Sequence, residues 1–505
     1  MSERILTGRP KFVTPYKSES KAIDLYYVFD VNTVCDVYNP LAMAYSGVAG
    51  DINYLMQYVR GRQDIYDRVK TVRPDIDNKV VINHASEITR NLVGYAFGKP
   101  IKYVPRQAGK RSAVKKLNEY TANEDKFTSD QELATQLSVC GIGYRGVFHN
   151  AYAVDDDNPF VLQILDPRTT FVVYASDFPD MPVMACTYYL TNPDVLDSNE
   201  SIVTIYTHDM IYRFRTGDYC GISAEQLVSV EVNPLGEIPI VEYENNSFRM
   251  GDWETSISLM NALNTVASDS VNDVSQFVQS ILVAVNAEFT DEAIEQLKAN
   301  KIVSIYSSRE LPADLKYIAE QTDADNVTSL REFLLEQLEI VTGLPSRNTS
   351  SSGGGDTGDA VYLRDGYENL EVVARIKESF FRKGERETLG LIIKWLEVSN
   401  KALSLTVNNV DIKFTRNSTD NLLTKANALS ILNGTKLIAP TDAIALVGIT
   451  TEPDELAQRG EEYWDKKNQE LMNQQNQMKN NQPENPQNPD NASRDNNQKR
   501  KTDRE

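Results

Sequence analysis

Hydrophobic positions change their spacing several times along the 505 residues, and each change predicts a boundary. Up to about residue 50 the pattern is irregular. Pro10, Pro15, Asn39-Pro40, Gly47 and Gly50 punctuate short apolar runs such as Tyr26 to Val34, which reads as an arm plus a short element. From Ile52 to Val69 apolar residues recur at three- and four-residue steps (Ile52, Leu55, Met56, Val59), which predicts a helix. A second helix is expected from Asn78 to Phe97, stopped by Gly98-Lys99-Pro100, with a strand over Ile101 to Val104. Between Gly141 and Val241 the texture turns to short β-type runs: Tyr144 to Phe148, Phe160 to Leu165, Thr170 to Tyr174, Ala185 to Leu190, Ile202 to Tyr206 and Ile211 to Arg215. The segment 233–246 closes this region, because Pro234, Gly236 and Pro239 interrupt regular pairing.

A long amphipathic helix follows from about Asp252 to Phe277. Met260, Leu263, Ala267, Val271, Val274 and Val278 form one face, and Glu254, Ser258, Asn261, Thr265, Asp269, Asn272 and Asp273 form the other. A small insertion reads as strand Ile281 to Val285, helix Glu292 to Ala299 and strand Ile302 to Tyr306. A second helix runs from about Asp325 to Val341, its apolar stripe Val327, Leu330, Leu334, Leu338 and Val341, its wet stripe Asp325, Ser329, Glu332, Glu336 and Glu339. A Ser- and Gly-rich loop, Ser346 to Gly358, separates it from a helical pattern over Asp359 to Val398, expected to bend near Gly384. Leu405 to Phe414 alternates as a strand does. Helices are expected at Asn421 to Leu432, at Thr441 to Val447 with Thr441 as N-cap, and from Glu452 to about Met472. Beyond Gln475 the chain is Asn, Gln, Pro and charge, with too little apolar surface to offset the entropy of folding, so disorder is expected.

Composition narrows the function. Lys and Arg total 52 against 72 Asp and Glu, a net charge of -20, which argues against a surface that grips DNA phosphates by counterion release, though not against DNA as cargo. The most apolar stretch, Phe277 to Val285, is far shorter than the roughly 20 residues that span a bilayer, so no membrane partner is expected. The N-terminus lacks a signal-peptide pattern, which suggests synthesis and use inside a cell. Cys35, Cys140, Cys186 and Cys220 form no C-x-x-C pair and read as reduced structural thiols.

Candidate chemistry does not assemble. Gly353-Gly-Gly-Asp-Thr-Gly358 lacks the Lys and the following Ser or Thr of a phosphate loop, and Asp356 and Asp359 would repel a phosphate. Asp356-Thr357-Gly358 matches the triplet of aspartic proteases, but that chemistry needs two such carboxylates between packed β-lobes. His84, His149 and His208 lie about 60 residues apart, and Asp155 to Asp157 lacks the Gly and spaced Glu of a calcium loop. No catalytic residue, metal ligand or cofactor is assigned.

Several segments nevertheless recur in one known arrangement. They are Asn83 with Val93-Gly-Tyr-Ala-Phe-Gly-Lys-Pro-Ile101, Gly141-Ile-Gly-Tyr144, Leu165-Asp-Pro167, 233–246, Ser268-Asp-Ser-Val-Asn-Asp273 with Phe277 to Val285, and Ser350 to Arg364. In order and spacing the chain resembles the portal proteins of siphophages that infect Gram-positive bacteria, over most of residues 50–420. The resemblance implies an α+β subunit: N-terminal arm 1–50, wing 51–250 with 400–418, stem helix 251–277, clip 278–322, second stem helix 323–341, tunnel loop 342–358, long bent wing helix 359–399, helical crown 419–474 and disordered tail 475–505.

It further implies a closed ring of about twelve copies at one capsid vertex, assembled in the host cytoplasm and passing double-stranded DNA without reading its sequence. The expected partners are the packaging ATPase (terminase), head-completion or adaptor proteins, and the major capsid and scaffolding proteins. Asp325, Ser329, Glu332, Glu336 and Glu339 are candidates to line the channel, and Ser350, Gly353, Gly354, Gly355, Asp356, Thr357 and Gly358 to form the tunnel loop. Residue patterns alone leave two other readings open: an assembly adaptor or scaffold without a conduit, and a metal-dependent DNA-processing enzyme.

Overall fold

In the computed structural model the described residues are 6–14, 29–71, 74–153, 158–176, 180–190, 201–217, 221–278, 281–285, 314–318, 324–345 and 356–416, with most of 427–447 and all of 453–480. Two compact units share the chain, Met1–Ser418 and Thr419–Glu505. The first is mixed α and β, the fold class expected. Its strands are β1 (Phe12–Val13), β2 (Lys102–Pro105), β3 (Ile142–His149), β4 (Phe160–Leu165), β5 (Thr170–Tyr174), β6 (Pro182–Leu190), β7 (Ser201–Tyr206), β8 (Met210–Thr216), β9 (Leu227–Val232), β10 (Ile240–Glu244), β11 (Ile281–Val285), β12 (Asp314–Ile318) and β13 (Val410–Lys413). Its helices are α1 (Val31–Val59), α2 (His84–Phe97), α3 (Arg111–Asn123), α4 (Lys126–Cys140), α5 (Ile257–Val278), α6 (Ala324–Thr342) and α7 (Asp356–Val398).

A six-stranded sheet, β1-β5-β6-β7-β8-β9, is antiparallel except at its edge, where β1 lies parallel to β5. Strands β10, β3 and β4 form a second sheet, and β2 pairs with β13 across 300 residues of chain, Lys102 opposite Lys413. The β-type runs thus fall where they were expected, β4 and β5 to the residue. Strand β10 corrects one expectation: Ile240 to Glu244 pairs regularly with β3, because Pro239 is the last residue before the ladder and costs no ladder N–H.

The largest correction is at the start of the chain. Val31 to Val59 is one 29-residue helix that runs straight through Pro40, Gly47 and Gly50, so the expected arm ends well before residue 50. Proline inside a helix costs about 3 kcal/mol. Here Val34, Tyr38, Ala42, Tyr45, Val48, Ile52, Leu55 and Tyr58 recur at helical spacing and are all buried, and several kcal/mol of apolar burial outweigh that cost. After Val59 the chain turns into a short 3-10 segment, Asp64–Asp67, rather than continuing to Val69. Helix α2 starts at His84, capped by the Asn83 side chain, and 78–83 runs as irregular chain. Helices α3 and α4 lie in a stretch for which no element was expected.

Helix α7 is continuous through Gly384, where the absence of a side chain meets a packing need: a Cβ there would lie 2.7 Å from the Tyr243 ring. At the C-cap of α4, Gly141 has φ +79°, and a Cβ would meet the Arg249 carbonyl at 2.3 Å. In the second unit α8 (Pro440–Val447) buries Ala443 and Ile444 and precedes α9 (Pro453–Asn480). Helix α8 opens on Pro440 at its first position, with Ala443 N–H bonding the Ala439 carbonyl, so Thr441 lies inside the helix and is not its cap. Helix α9 continues past Gln475, where disorder was expected, as far as Asn480. The expected helix at Asn421 to Leu432 falls largely outside the described residues, as do 481–505.

Candidate functional site

Helices α5 and α6 pack against each other, and β11 follows α5 almost at once, paired antiparallel with β12. The expected helix Glu292 to Ala299 and strand Ile302 to Tyr306 lie outside the described residues.

Helix α5 buries two faces. Met260 and Leu263 enter the main core. Next to them Asn264, Ser268 and Asn272, one turn apart, are as buried as any leucine and carry the irregular segment 78–82. The Asn264, Ser268 and Asn272 side-chain oxygens accept from the backbone N–H groups of Ile82, Val80 and Asn78 at 2.8, 2.9 and 2.7 Å. The match is geometric. Four helical residues rise about 6.0 Å and two extended residues about 6.6 Å, so every turn of α5 meets every second residue of the strap. Asn264 also donates to Gln63 at 2.5 Å, and Asn261 to Asp64 at 2.8 Å. Of the residues expected on the wet face, Asn261 and Asn272 are drawn into this seam with Asn264 and Ser268, which were assigned to neither face, while Val271 and Val274, expected to pack, are 41% and 68% exposed.

Helix α6 divides into three faces at roughly 100° per residue. Leu334, Leu335, Leu338 and Thr342 pack inward. Leu330, Phe333, Ile340 and Val341 form an apolar flank that is about half or more exposed. Beside that flank runs the acidic stripe: Asp325, Ser329, Glu332 and Glu336 are exposed and Glu339 is partly covered. Of the expected tunnel-loop residues, Asp356, Thr357 and Gly358 are in the first turn of α7 and not in a loop, whereas Ser350, Gly353, Gly354 and Gly355 lie outside the described residues. An acidic residue at a helix N-terminus is favoured in general, because unpaired N–H groups and the helix dipole attract negative charge.

Two buried charge clusters hold the elements beneath these helices. In the first, Arg145 on β3 and Lys126 on α4 share Asp130 and Glu385: Lys126 Nζ lies 2.7 Å from each carboxylate, and Arg145 lies 2.5 Å from Asp130 and 3.1 Å from Glu385. Tyr103 and Tyr243 also donate to Glu385, at 2.5 and 3.1 Å. Burial alone would raise the Glu385 carboxyl, but the Lys126 and Arg145 charges outweigh it and hold the group at about 2. In the second cluster Arg249 donates to Glu242 at 2.5 and 3.0 Å, and Tyr144 and Tyr174 add 2.7 and 2.9 Å bonds. Burial opposes ionisation of Glu242, yet the Arg249 charge keeps its carboxyl below the usual range. Close by, Arg9 reaches Glu254, just ahead of α5, at 2.6 Å.

These clusters escaped sequence reading, although single charges set inside apolar strand runs, Arg145 in 142–149 and Glu242 in 240–244, were the available signal. His84 contacts Glu87, His149 packs against the Trp395 ring at a tilt of 41°, and His208 bonds the carbonyls of Gly236 and Pro182. Cys35, Cys140 and Cys186 are free and buried, burial pushing the Cys140 thiol up to about 12. Asp155 to Asp157 and Cys220 lie outside the described residues. Among the described residues there is no group of three His, Cys, Asp or Glu placed to hold a metal, and no helix is long and apolar enough to cross a membrane.

The profile of one protein family, described as phage portal protein, SPP1 Gp6-like, matches residues 49–481. The chain is 21% identical over 384 residues to the portal protein of Bacillus phage SPP1, which covers 73% of this chain and 72% of that one. Two solved structures are similar at 10% identity. One is a chain in the neck of a native gene transfer agent particle computed with C12 symmetry, TM-score 0.41, covering 72% of this chain and 89% of that one. The other is in the neck of an empty particle computed with C6 symmetry, TM-score 0.43, covering 72% and 90%.

Proposed function

Because this chain belongs to the SPP1 Gp6-like family of phage portal proteins, we propose that α5 and α6 are its stem, that copies close into a ring through the flanks of these helices, and that the acidic face of α6 lines the bore. The observation that carries the reading is the division of α6. Its inward face is satisfied within the chain, and two further faces, one apolar and one acidic, lie side by side and exposed. An exposed apolar flank of Leu330, Phe333, Ile340 and Val341 on α6, together with exposed Val271 and Val274 on α5, supports a contact surface here. Cyclic symmetry supplies its partner, since every subunit presents the same pair of surfaces to its two neighbours.

Closing the apolar flank leaves the adjacent carboxylates for the interior. Asp325, Glu332, Glu336 and Glu339, repeated once per subunit, form a weakly repulsive sleeve in which phosphates find no deep wells, so the duplex slides. About twelve copies make the ring, at one capsid vertex. Residues 51–250 with 400–418 and the long helix α7 are the wing, 278–322 the clip that docks the packaging ATPase and later the head-completion proteins, 342–355 what remains of the tunnel loop, and 419–474 the crown. Assembly takes place in the host cytoplasm with capsid and scaffolding proteins. The test is a chain carrying both Glu332→Lys and Glu336→Lys. Ring mass is expected to be unchanged and packaged DNA per capsid to fall, and normal packaging by correctly formed rings would place the stripe on an outer surface.

A further inference from the structure

Net charge describes the whole chain, and one region departs from it. Residues 99–116 contain seven lysines and arginines and no carboxylate. The fold brings more cations to the same place. Pairing of β2 with β13 sets Lys413 opposite Lys102, and like charges opposite one another on a sheet destabilise it. Arg106 and Arg382 both approach Asp411, at 3.6 and 3.5 Å, Arg386 bonds Asn408 at 3.2 Å, and Lys110 bonds the Ser404 carbonyl at 2.6 Å. Side chains from two separate stretches, 106–110 and 382–386, thus converge on 404–411, where Asp411 answers two guanidinium groups. Arg106, Arg382 and Asp411 are each about half exposed. Beside them α3 presents Arg111, Lys115 and Lys116 on its exposed face while Val114 and Leu117 pack inward.

Such a surface suits one kind of partner. Protein interfaces are anchored by aromatic and aliphatic side chains and are depleted of lysine. Among the described residues, no large apolar side chain between 99 and 123 or between 399 and 416 is exposed. Contacts to nucleic-acid phosphates, by contrast, are made by arginine and lysine and need no apolar anchor. We propose that this basic surface, built from β2, β13, the start of α3 and the middle of α7, binds the phosphate backbone of duplex DNA outside any bore and without reading sequence. The weakly held Arg106 and Arg382 exchange their shared Asp411 for phosphate oxygens, and the exposed cations of α3 extend the track by about one helical turn. A locally adhesive patch on a chain of net charge -20 confines DNA contact to one place.

The experiment uses the purified full chain and relaxed, covalently closed circular duplex, which cannot thread a closed ring, so only outer surfaces contribute. Binding is followed against salt concentration for the native chain, for a fourfold variant (Arg106→Gln, Lys110→Gln, Arg111→Gln, Lys115→Gln), and for a control with Arg60→Gln and Arg90→Gln, both exposed elsewhere. With about 0.9 of log–log slope per phosphate contacted, the native chain and control should show a slope of about -5, and the fourfold variant a slope shallower by about 3.6. Equal binding by the fourfold variant, or no retention by the native chain at low salt, would overturn the proposal. So would retention of poly-glutamate in preference to duplex, which would assign the surface to an acidic protein. If the fourfold variant fails to fold, Lys115→Gln with Lys116→Gln, both on the exposed face of α3, keeps the comparison, with a slope shallower by about 2 expected. Ring mass recorded on the same samples reports on the conduit independently of this result.

Discussion

The junction of α4, β3, β10 and α7 and the exposed flanks of α5 and α6 are built from the same chain under opposite rules. At the junction of α4, β3, β10 and α7, charged side chains are fully buried and each is answered: Lys126, Arg145, Asp130 and Glu385 balance within one cluster, and tyrosine hydroxyls take up remaining acceptor positions. On those flanks, apolar side chains point outward: Val274 is 68% exposed, Ile340 65% and Phe333 54%. The junction is complete within one copy, and on the proposed reading the exposed flank of α6 is covered by neighbouring copies. Buried ion pairs contribute little net stability against an apolar alternative, but they are strict about geometry. Here they tie the long helix α7, through Glu385, to Lys126 of α4 and Arg145 of β3.

The contrast can be broken from either side. The largest effect is expected for Glu385→Ala, which leaves Lys126 and Arg145 buried without their shared carboxylate and should cost about 3–5 kcal/mol in denaturant unfolding. Next is acid. Glu385 is held at about 2 against roughly 4.3 in an unfolded chain, so its stabilisation is fully present above about pH 4.3 and is lost as pH falls toward 2. Glu242, also depressed, acts in the same direction, and Asp130, whose carboxyl burial raises, opposes them in part. Fluorescence of the buried Trp253 and Trp395 should report loss of stability across that window, and a flat response would argue against ionised carboxylates in the clusters.

Gly384→Ala drives a methyl group into the Tyr243 ring and should cost about 1–3 kcal/mol. Asn264→Ala strips the acceptor from the Ile82 N–H and the partner from Gln63, with an expected loss of about 1–3 kcal/mol concentrated in hydrogen exchange of 78–82. The smallest effect on folding belongs to the stem: Phe333→Glu with Ile340→Glu should change the unfolding free energy of the isolated subunit by within about 0.5 kcal/mol per site, yet abolish ring formation.

What could be read from sequence follows the same contrast. Short β-type runs bounded by turn residues placed β4 and β5 to the residue, β5 being buried at every position, and three- and four-residue spacing placed α6, which packs Leu334 and Leu338 inward. Helix α1 was missed because Pro40 and two glycines signal a break, and only tertiary burial of Tyr38, Tyr45 and Ile52 overrides them. The seam on α5 was invisible for a different reason. Asn264, Ser268 and Asn272 have the composition of a solvated face, and their partners are backbone N–H groups about 190 residues away, which carry no side-chain signature. The acidic stripe was legible as a stripe, but the apolar flank beside it was not: Leu330 and Val341 were assigned to the packed face, and the structure turns both outward.

Native mass together with electron microscopy of the purified full chain, beside the Phe333→Glu and Ile340→Glu variant, tests the central claim most directly. The account predicts a closed ring with an open bore for the native chain, about 680 kDa for about twelve subunits of 56.8 kDa, and a folded single subunit for the variant. A native chain that stays monomeric or dimeric, or a variant that still closes into rings, would contradict the claim that the stem flanks are the surfaces that join the copies.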